Sequence, residues 1–92
     1  MKLPINYPNS HWSVRKQARE QYVYEQDGLC CHCGEPLTED SKFLESHPIN
    51  SALFPASMFQ WPIHLHHCRK TDMTIGAVHA HCNAVLWQYH GE

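Results

Sequence analysis

Two short pairs of metal-binding residue types, far apart in the chain, limit how it can fold more than any other feature. The first lies in "CCHC", where Cys30 and Cys33 are separated by two residues, and the second in "HAHC", where His79 and Cys82 have the same gap. Brought together, the two turns supply three thiolates and one imidazole, a known composition for a tetrahedral structural zinc. A chain of 92 residues has reason to carry such a staple, because a hydrophobic core of that size is marginal by itself. A lone CxxC also fits redox chemistry or chance, so the second pair carries the assignment. Competing donors stand close by in sequence: Cys31, His32, Cys68 and His81. The plainer alternative is that these cysteines are small buried hydrophobes with no metal. Cys31 and Cys68 are expected to remain thiols outside the metal set.

Composition agrees with a metal staple. Five cysteines do not close a disulfide framework, and short spacings in a reducing compartment favour metal over disulfides. The opening "MKLPINYPNSHW" has no apolar run of signal-peptide length, and no segment approaches membrane-spanning length. A soluble, cytoplasmic protein with no membrane partner is therefore expected, as a single domain over residues 1–92. Seven Lys+Arg against nine Asp+Glu leave the chain slightly acidic, which argues against a strongly basic nucleic-acid binder.

Along the chain, residues 1–12 carry Pro4, Pro8 and an "NS" pair and read as an irregular arm. "SVRKQAREQYVYEQDG" predicts a helix: Ser13 can cap it, Val14, Ala18, Tyr22 and Val23 recur at helical spacing, and Gly28 ends it. Residues 38–59 have no clean period and read as a loop-rich insertion, which could serve as a substrate loop, a dimer contact or a lid over the zinc site. "FQWPIHLHH" predicts a strand, with Pro62 at its beginning or at a sheet edge. "RKTDMT" reads as a loop, "IGAV" as a second strand and "HCNAVLWQYH" as a helix. Trp12, Trp61 and Trp87 are expected in the core, and His11, His47 and His90 on the surface.

The remaining concentration of chemistry is "PIHLHHC", with three histidines in five residues. Adjacent residues on a regular strand point to opposite faces, so His66 and His67 can share a site only if the strand ends or bulges between them. Phosphodiester hydrolysis needs a base to activate water and a cation to neutralise charge on the phosphoryl group. His67 can be that base, and His66 with Asn83 can hold the metal. His64, one alternation before His66, either reaches the same pocket or is a hydrogen-bonded structural residue. The plain reading of the pair is a polar strand end without chemistry.

The order helix, CxxC, strand ending in "HH", loop, short strand, "HAHC" and then Asn on a helix resembles the HNH, or ββα-metal, endonuclease family. "IHLHHCRKTDMTIGAVHAHCNAVLW" is similar to the core of the zinc-stapled phage recombination endonuclease VII group, over residues 22–34 and 60–88. The resemblance implies an α+β fold: a small zinc-stapled ββα-metal (His-Me finger) core with an N-terminal helix and a loop insertion. It implies structural zinc on Cys30, Cys33, His79 and Cys82, general-base catalysis by His67, and a catalytic metal held by His66 and Asn83. Thr74 falls near the family's middle Asn and would brace the loop and orient the base. His79 stands in place of a cysteine, His66 in place of an aspartate, Arg69 in place of a second histidine, and Leu86 in place of an acidic residue.

A site of His and Asn with few carboxylates suits Mn, Co, Ni or Zn at least as well as Mg. DNA is the implied partner, contacted by Arg15, Lys16, Arg19, Arg69 and Lys70, with salt-dependent binding. A homodimer would suit double-strand cutting, and a phage protein partner would suit a nuclease active only within an assembly. The competing class is a zinc-stapled binding module without turnover.

Overall fold

Residues 1–91 are described by a computed structural model. Helix α1 spans Trp12–Glu25, strand β1 Ile63–His67, strand β2 Thr74–His79 and helix α2 Ala80–His90. The two strands form one antiparallel pair. This is a small α+β fold of two helices and a two-stranded sheet. No helix among the described residues is long and apolar enough to cross a membrane.

The core is small. Ala18 and Tyr22 of α1, Leu65 of β1, Ala77 and Val78 of β2 and Cys82 of α2 are buried together with Cys30 and Leu37. Ala18 and Tyr22 are the two buried residues of α1, while Val14 and Val23 are only half-buried. With so few large apolar side chains, burial alone gives modest stabilisation.

Several local expectations need correction. Ser13 does not cap α1; the cap is His11, whose Nδ1 accepts the Ser13 backbone N–H at 3.2 Å. An imidazole nitrogen with a lone pair serves as well as a hydroxyl here, and the Ser13 hydroxyl lies 2.8 Å from the same nitrogen. The helix ends at Glu25, and Gly28 follows at φ 74°, returning its N–H to the Val23 carbonyl at 2.8 Å. Strand β1 begins at Ile63, after Pro62, because Phe59 and Gln60 belong to a 3₁₀ turn over Ala56–Gln60. Helix α2 begins at Ala80, so Asn83 lies in its first turn rather than at its start.

Residues 38–59 are not a detached insertion. Their 41–47 portion covers the Cys/His cluster, and the remainder runs along α2: Asn50 N–H donates to Gln88 Oε1 at 2.8 Å, and the Tyr89 hydroxyl donates to the Pro48 carbonyl at 2.6 Å. Two 3₁₀ turns, Ser51–Leu53 and Ala56–Gln60, are the regular structure they contain. His47 is half-buried rather than exposed, with its ring against Phe43 and Tyr89.

The arm is likewise tied down. Ile5 N–H donates to Thr74 Oγ1 and Thr74 N–H to the Ile5 carbonyl, both at 3.0 Å, and Tyr7 N–H donates to the Asp72 carbonyl at 2.8 Å. These bonds extend the edge of β2 and bring Tyr7 over the end of β1.

Candidate functional site

The two Cys/His turns meet at one point. Donor atoms of Cys30, Cys33, His79 and Cys82 lie within 4.8 Å of one another, with three of the four residues buried. His79 Nδ1 is 3.4 Å from Cys33 Sγ and 3.7 Å from Cys82 Sγ. A tetrahedral zinc with Zn–S of about 2.3 Å and Zn–N of about 2.0–2.1 Å requires S···N separations of about 3.5 Å. The cluster is therefore compatible with a structural zinc site in its chemistry and in these two S···N separations.

Its surroundings orient the donors. His79 Nε2 donates to the Pro36 carbonyl at 2.9 Å, which leaves Nδ1 as the lone pair facing the sulfurs. Cys30 Sγ accepts the backbone N–H groups of His32 and Cys33 at 3.4 and 3.5 Å. Its thiol is lowered to about 3, chiefly by the hydrogen bond from Cys82, against the opposing effect of burial. The cluster thus favours a thiolate within the Cys30–Cys82 pair, and the thiolate is the form a metal binds. Ser41 Oγ lies 2.9 Å from Cys82 Sγ, and His81 Nε2 spans the Phe43 and His47 carbonyls at 3.1 and 3.0 Å.

The four competing donors are accounted for differently. His81 is held by those two carbonyls. Cys31 is exposed and lies against Gly76, where an added Cβ would meet Cys31 Sγ at 3.0 Å. His32 packs beside the Phe43 ring at 5.2 Å, and burial lowers its pKa. Cys68 follows β1, and its N–H donates to the Met73 carbonyl at 2.9 Å.

Gln26, which nothing in the sequence singled out, ties the first turn to the sheet. Its Oε1 accepts the Ala77 N–H at 2.9 Å, while its Nε2 donates to the carbonyls of Ala77 and Leu29 at 2.9 and 2.8 Å. One side-chain amide thereby satisfies both backbone groups of a β2 residue, as a neighbouring strand would.

The second site is at the other end of β1. Pairing runs from Ile63 opposite His79 to His66 opposite Gly76, and then slips so that His67 opposes Thr74, with Ile75 as the extra residue. The strand also ends at His67. His66, His67 and Asn83 consequently line one cleft, despite the adjacency of the two histidines.

Hydrogen bonds fix the tautomers in this cluster. A carbonyl can only accept, so His64 Nε2 carries the proton it donates to the Met58 carbonyl at 2.6 Å. His64 Nδ1 is then an acceptor for Asn83 Nδ2 at 3.2 Å, which sets the amide orientation. Asn83 Oδ1 accepts from His66 Nδ1 at 3.3 Å. In neutral His66 the free lone pair is therefore on Nε2. Of the two readings of His64, the relay combines both: it is hydrogen-bonded structurally and lines the adjoining cleft.

His67 stacks on the Tyr7 ring, with centroids 4.0 Å apart and planes 7° from parallel. Burial first, then the neighbouring His66, lowers its pKa, which favours the uncharged form that a base requires. Thr74 does not bond this imidazole. Its hydroxyl accepts the Ile5 N–H and lies 2.9 Å from the Tyr22 hydroxyl. It anchors the arm that carries Tyr7, and so acts on His67 only as a positioning residue. No sequence signal links Tyr7 to His67, because the contact depends on how the arm folds back.

The basic residues divide unequally. Arg15, Lys16 and Arg19 line one cleft together with His67, and Arg69 lines the neighbouring one, its guanidinium 5.4 Å from the Trp87 ring. Lys70 lies on the exposed turn after β1, outside the lining of both. Arg15 is partly committed: Nε donates to the Tyr7 carbonyl at 2.9 Å and the guanidinium covers the Tyr7 ring at 4.3 Å. The tryptophans are not core residues; Trp12 and Trp61 are 67% and 70% exposed, and Trp87 is 38% exposed.

Comparison with known protein families, curated proteins and solved structures yields no match. The class of protein defined by fold and site is thus a small α+β domain with a Cys₃His cluster compatible with structural zinc.

Proposed function

We propose that the chain is a metal-dependent HNH endonuclease or nickase that hydrolyses DNA phosphodiester bonds. The observation that carries this reading is the register slip at His66/His67, which leaves both imidazoles and Asn83 lining one cleft. His67 takes the proton of the attacking water as the new O–P bond forms and the P–O bond to the leaving sugar oxygen breaks, that oxygen departing to take a proton from solvent, and the Tyr7 stack holds the imidazole in place. His66 Nδ1 and Asn83 Oδ1, 3.3 Å apart, are the protein donors that would hold a divalent ion in place of the proton between them, with water as its other ligands. Such an ion, when bound, neutralises charge on the phosphoryl and leaving oxygens. Arg15, Lys16 and Arg19 on one side and Arg69 on the other suit a strand whose phosphates cross the histidines.

A binding module without turnover is the second reading. One observation favours it: both ends of the Asn83 amide are already engaged by His64 and His66. Supercoiled plasmid with Mg, Mn, Co or Ni, incubated with zinc-loaded protein and with its His67→Ala variant, separates the two. Nicked or linear DNA from the parent chain alone supports the nuclease. Folded, zinc-containing protein that cuts with none of these metals supports the module.

A further inference from the structure

The cleft beside His67 contains two features that the hydrolytic reading leaves unused. Trp12 and Trp61, both about two-thirds exposed, line it together with Arg15, Lys16 and Arg19. Its volume, about 700 Å³, is in the range that holds a ligand rather than scattered water. No aspartate or glutamate is among its lining residues, although the whole chain is acidic by a formal charge of -2. Local positive charge has been concentrated here against the average.

Exposing two indoles forgoes the burial that usually stabilises a tryptophan, and in a chain with so small a core that loss is conspicuous. Their backbones are nevertheless held. Trp12 opens α1 directly after the His11 cap, with the two rings 5.5 Å apart, and Trp61 is fixed between the 3₁₀ turn Ala56–Gln60 and Pro62. Two pre-positioned flat apolar surfaces beside three cations match the chemistry of an unstacked nucleotide strand: bases stack on indoles while phosphates meet Arg and Lys. A duplex cannot use those surfaces, because the faces of its bases are already covered by one another.

We infer that this cleft is a single-strand DNA subsite, in which Trp12 and Trp61 stack unpaired bases and Lys16 and Arg19 hold the adjoining phosphates. The inference rests on the nuclease reading for the orientation of the strand toward His67. It assigns the substrate class as DNA with a locally unpaired segment.

The test uses the full zinc-loaded chain carrying His67→Ala, so that no cleavage intervenes. Oligothymidylate and a duplex of the same length are titrated, with binding read by tryptophan fluorescence and by anisotropy of labelled DNA. The expected result is at least tenfold tighter binding of the single strand. Trp12→Ala and Trp61→Ala each weaken it by roughly five- to a hundredfold, whereas Trp12→Phe and Trp61→Phe restore most of the affinity. Arg19→Gln lowers the salt slope by about 0.7, the value for one phosphate contact on a single strand. Tyr24→Ala, an exposed aromatic outside the cleft, changes nothing.

Equal affinity for both DNAs, insensitive to Trp12 and Trp61, overturns the subsite. In that case plasmid cleavage by the parent chain would still uphold the nuclease. Absence of binding to either DNA overturns the subsite, and absence of cleavage as well removes the reading beneath it. Zinc content and circular dichroism of each variant distinguish lost binding from lost folding.

Discussion

His79 and His66 sit toward opposite ends of the same hairpin, and each turns its Nδ1 toward a side-chain donor from α2. Around His79 the free nitrogen meets three sulfurs within a buried cluster enclosed by Pro36, Ser41 and the 41–47 segment. Around His66, Nδ1 meets a single neutral amide, that of Asn83, which is shared with His64 and lines a cleft. Convergent, enclosed donors make a site that stabilises the fold, whereas sparse donors at an open cleft leave positions for water and substrate. The same residue type thus serves two purposes according to how many donors surround it.

Breaking the enclosed end should have the largest effect. Cys82→Ser, or a strong chelator, removes apparent binding free energy on the order of 10 kcal/mol, more than a domain this small can lose. Loss of the cooperative melting transition, with zinc released in proportion, is the expected result; a native-like transition in zinc-free protein would deny the staple. Acid should act in the same direction, because protons compete with metal for the thiolates.

Gly76→Ala tests the contact between the first Cys turn and β2. The new Cβ would lie 2.8 Å from Gln26 Oε1 and 3.0 Å from Cys31 Cβ and Sγ, in a position where two side chains must yield. A loss of about 1–3 kcal/mol in denaturant unfolding is expected, with one zinc still bound.

At the open end the balance should reverse. Asn83→Ala deletes two hydrogen bonds and should cost about 1–3 kcal/mol of stability, about 0.5–1.5 for each, without loss of zinc. Plasmid cleavage should nevertheless disappear, because the His66 ring and its metal partner lose their orientation together. If zinc affinity fell instead, the two ends would not be independent.

The smallest effect distinguishes the basic residues. Lys70→Gln should leave the salt dependence of duplex binding unchanged, while Arg69→Gln should reduce the slope by about 0.9, one phosphate contact. Equal slopes for the two would mean that the strand runs over the exposed turn as well.

Much of this arrangement is legible in the chain itself. Spacing alone picks out Cys30, Cys33, His79 and Cys82 because the geometry of a short metal-binding turn is local, and the alternation of His64 with His66 places both on one side of β1. The requirement for an irregularity between His66 and His67 also follows from strand geometry, and the register slip meets it. Helix ends were less legible: His11 caps where Ser13 was expected, since either side chain can accept the free N–H groups. The tryptophans depart from the expected core because indoles normally gain by burial, and the exposure of Trp12 and Trp61 in a basic cleft depends on how the chain folds.

The sequence by itself determined which four side chains can form a Cys₃His cluster, the order of the helices and strands, and that His66 and His67 could line one cleft only through a strand irregularity, because each depends on spacing over a few residues. Tertiary structure alone decided that Tyr7 covers His67, that Gln26 stands in for a strand beside Ala77, that 41–47 encloses the Cys/His cluster, and that Trp12 and Trp61 share a cationic cleft. Those contacts join segments distant in sequence, and no local propensity records where a folded chain returns to itself.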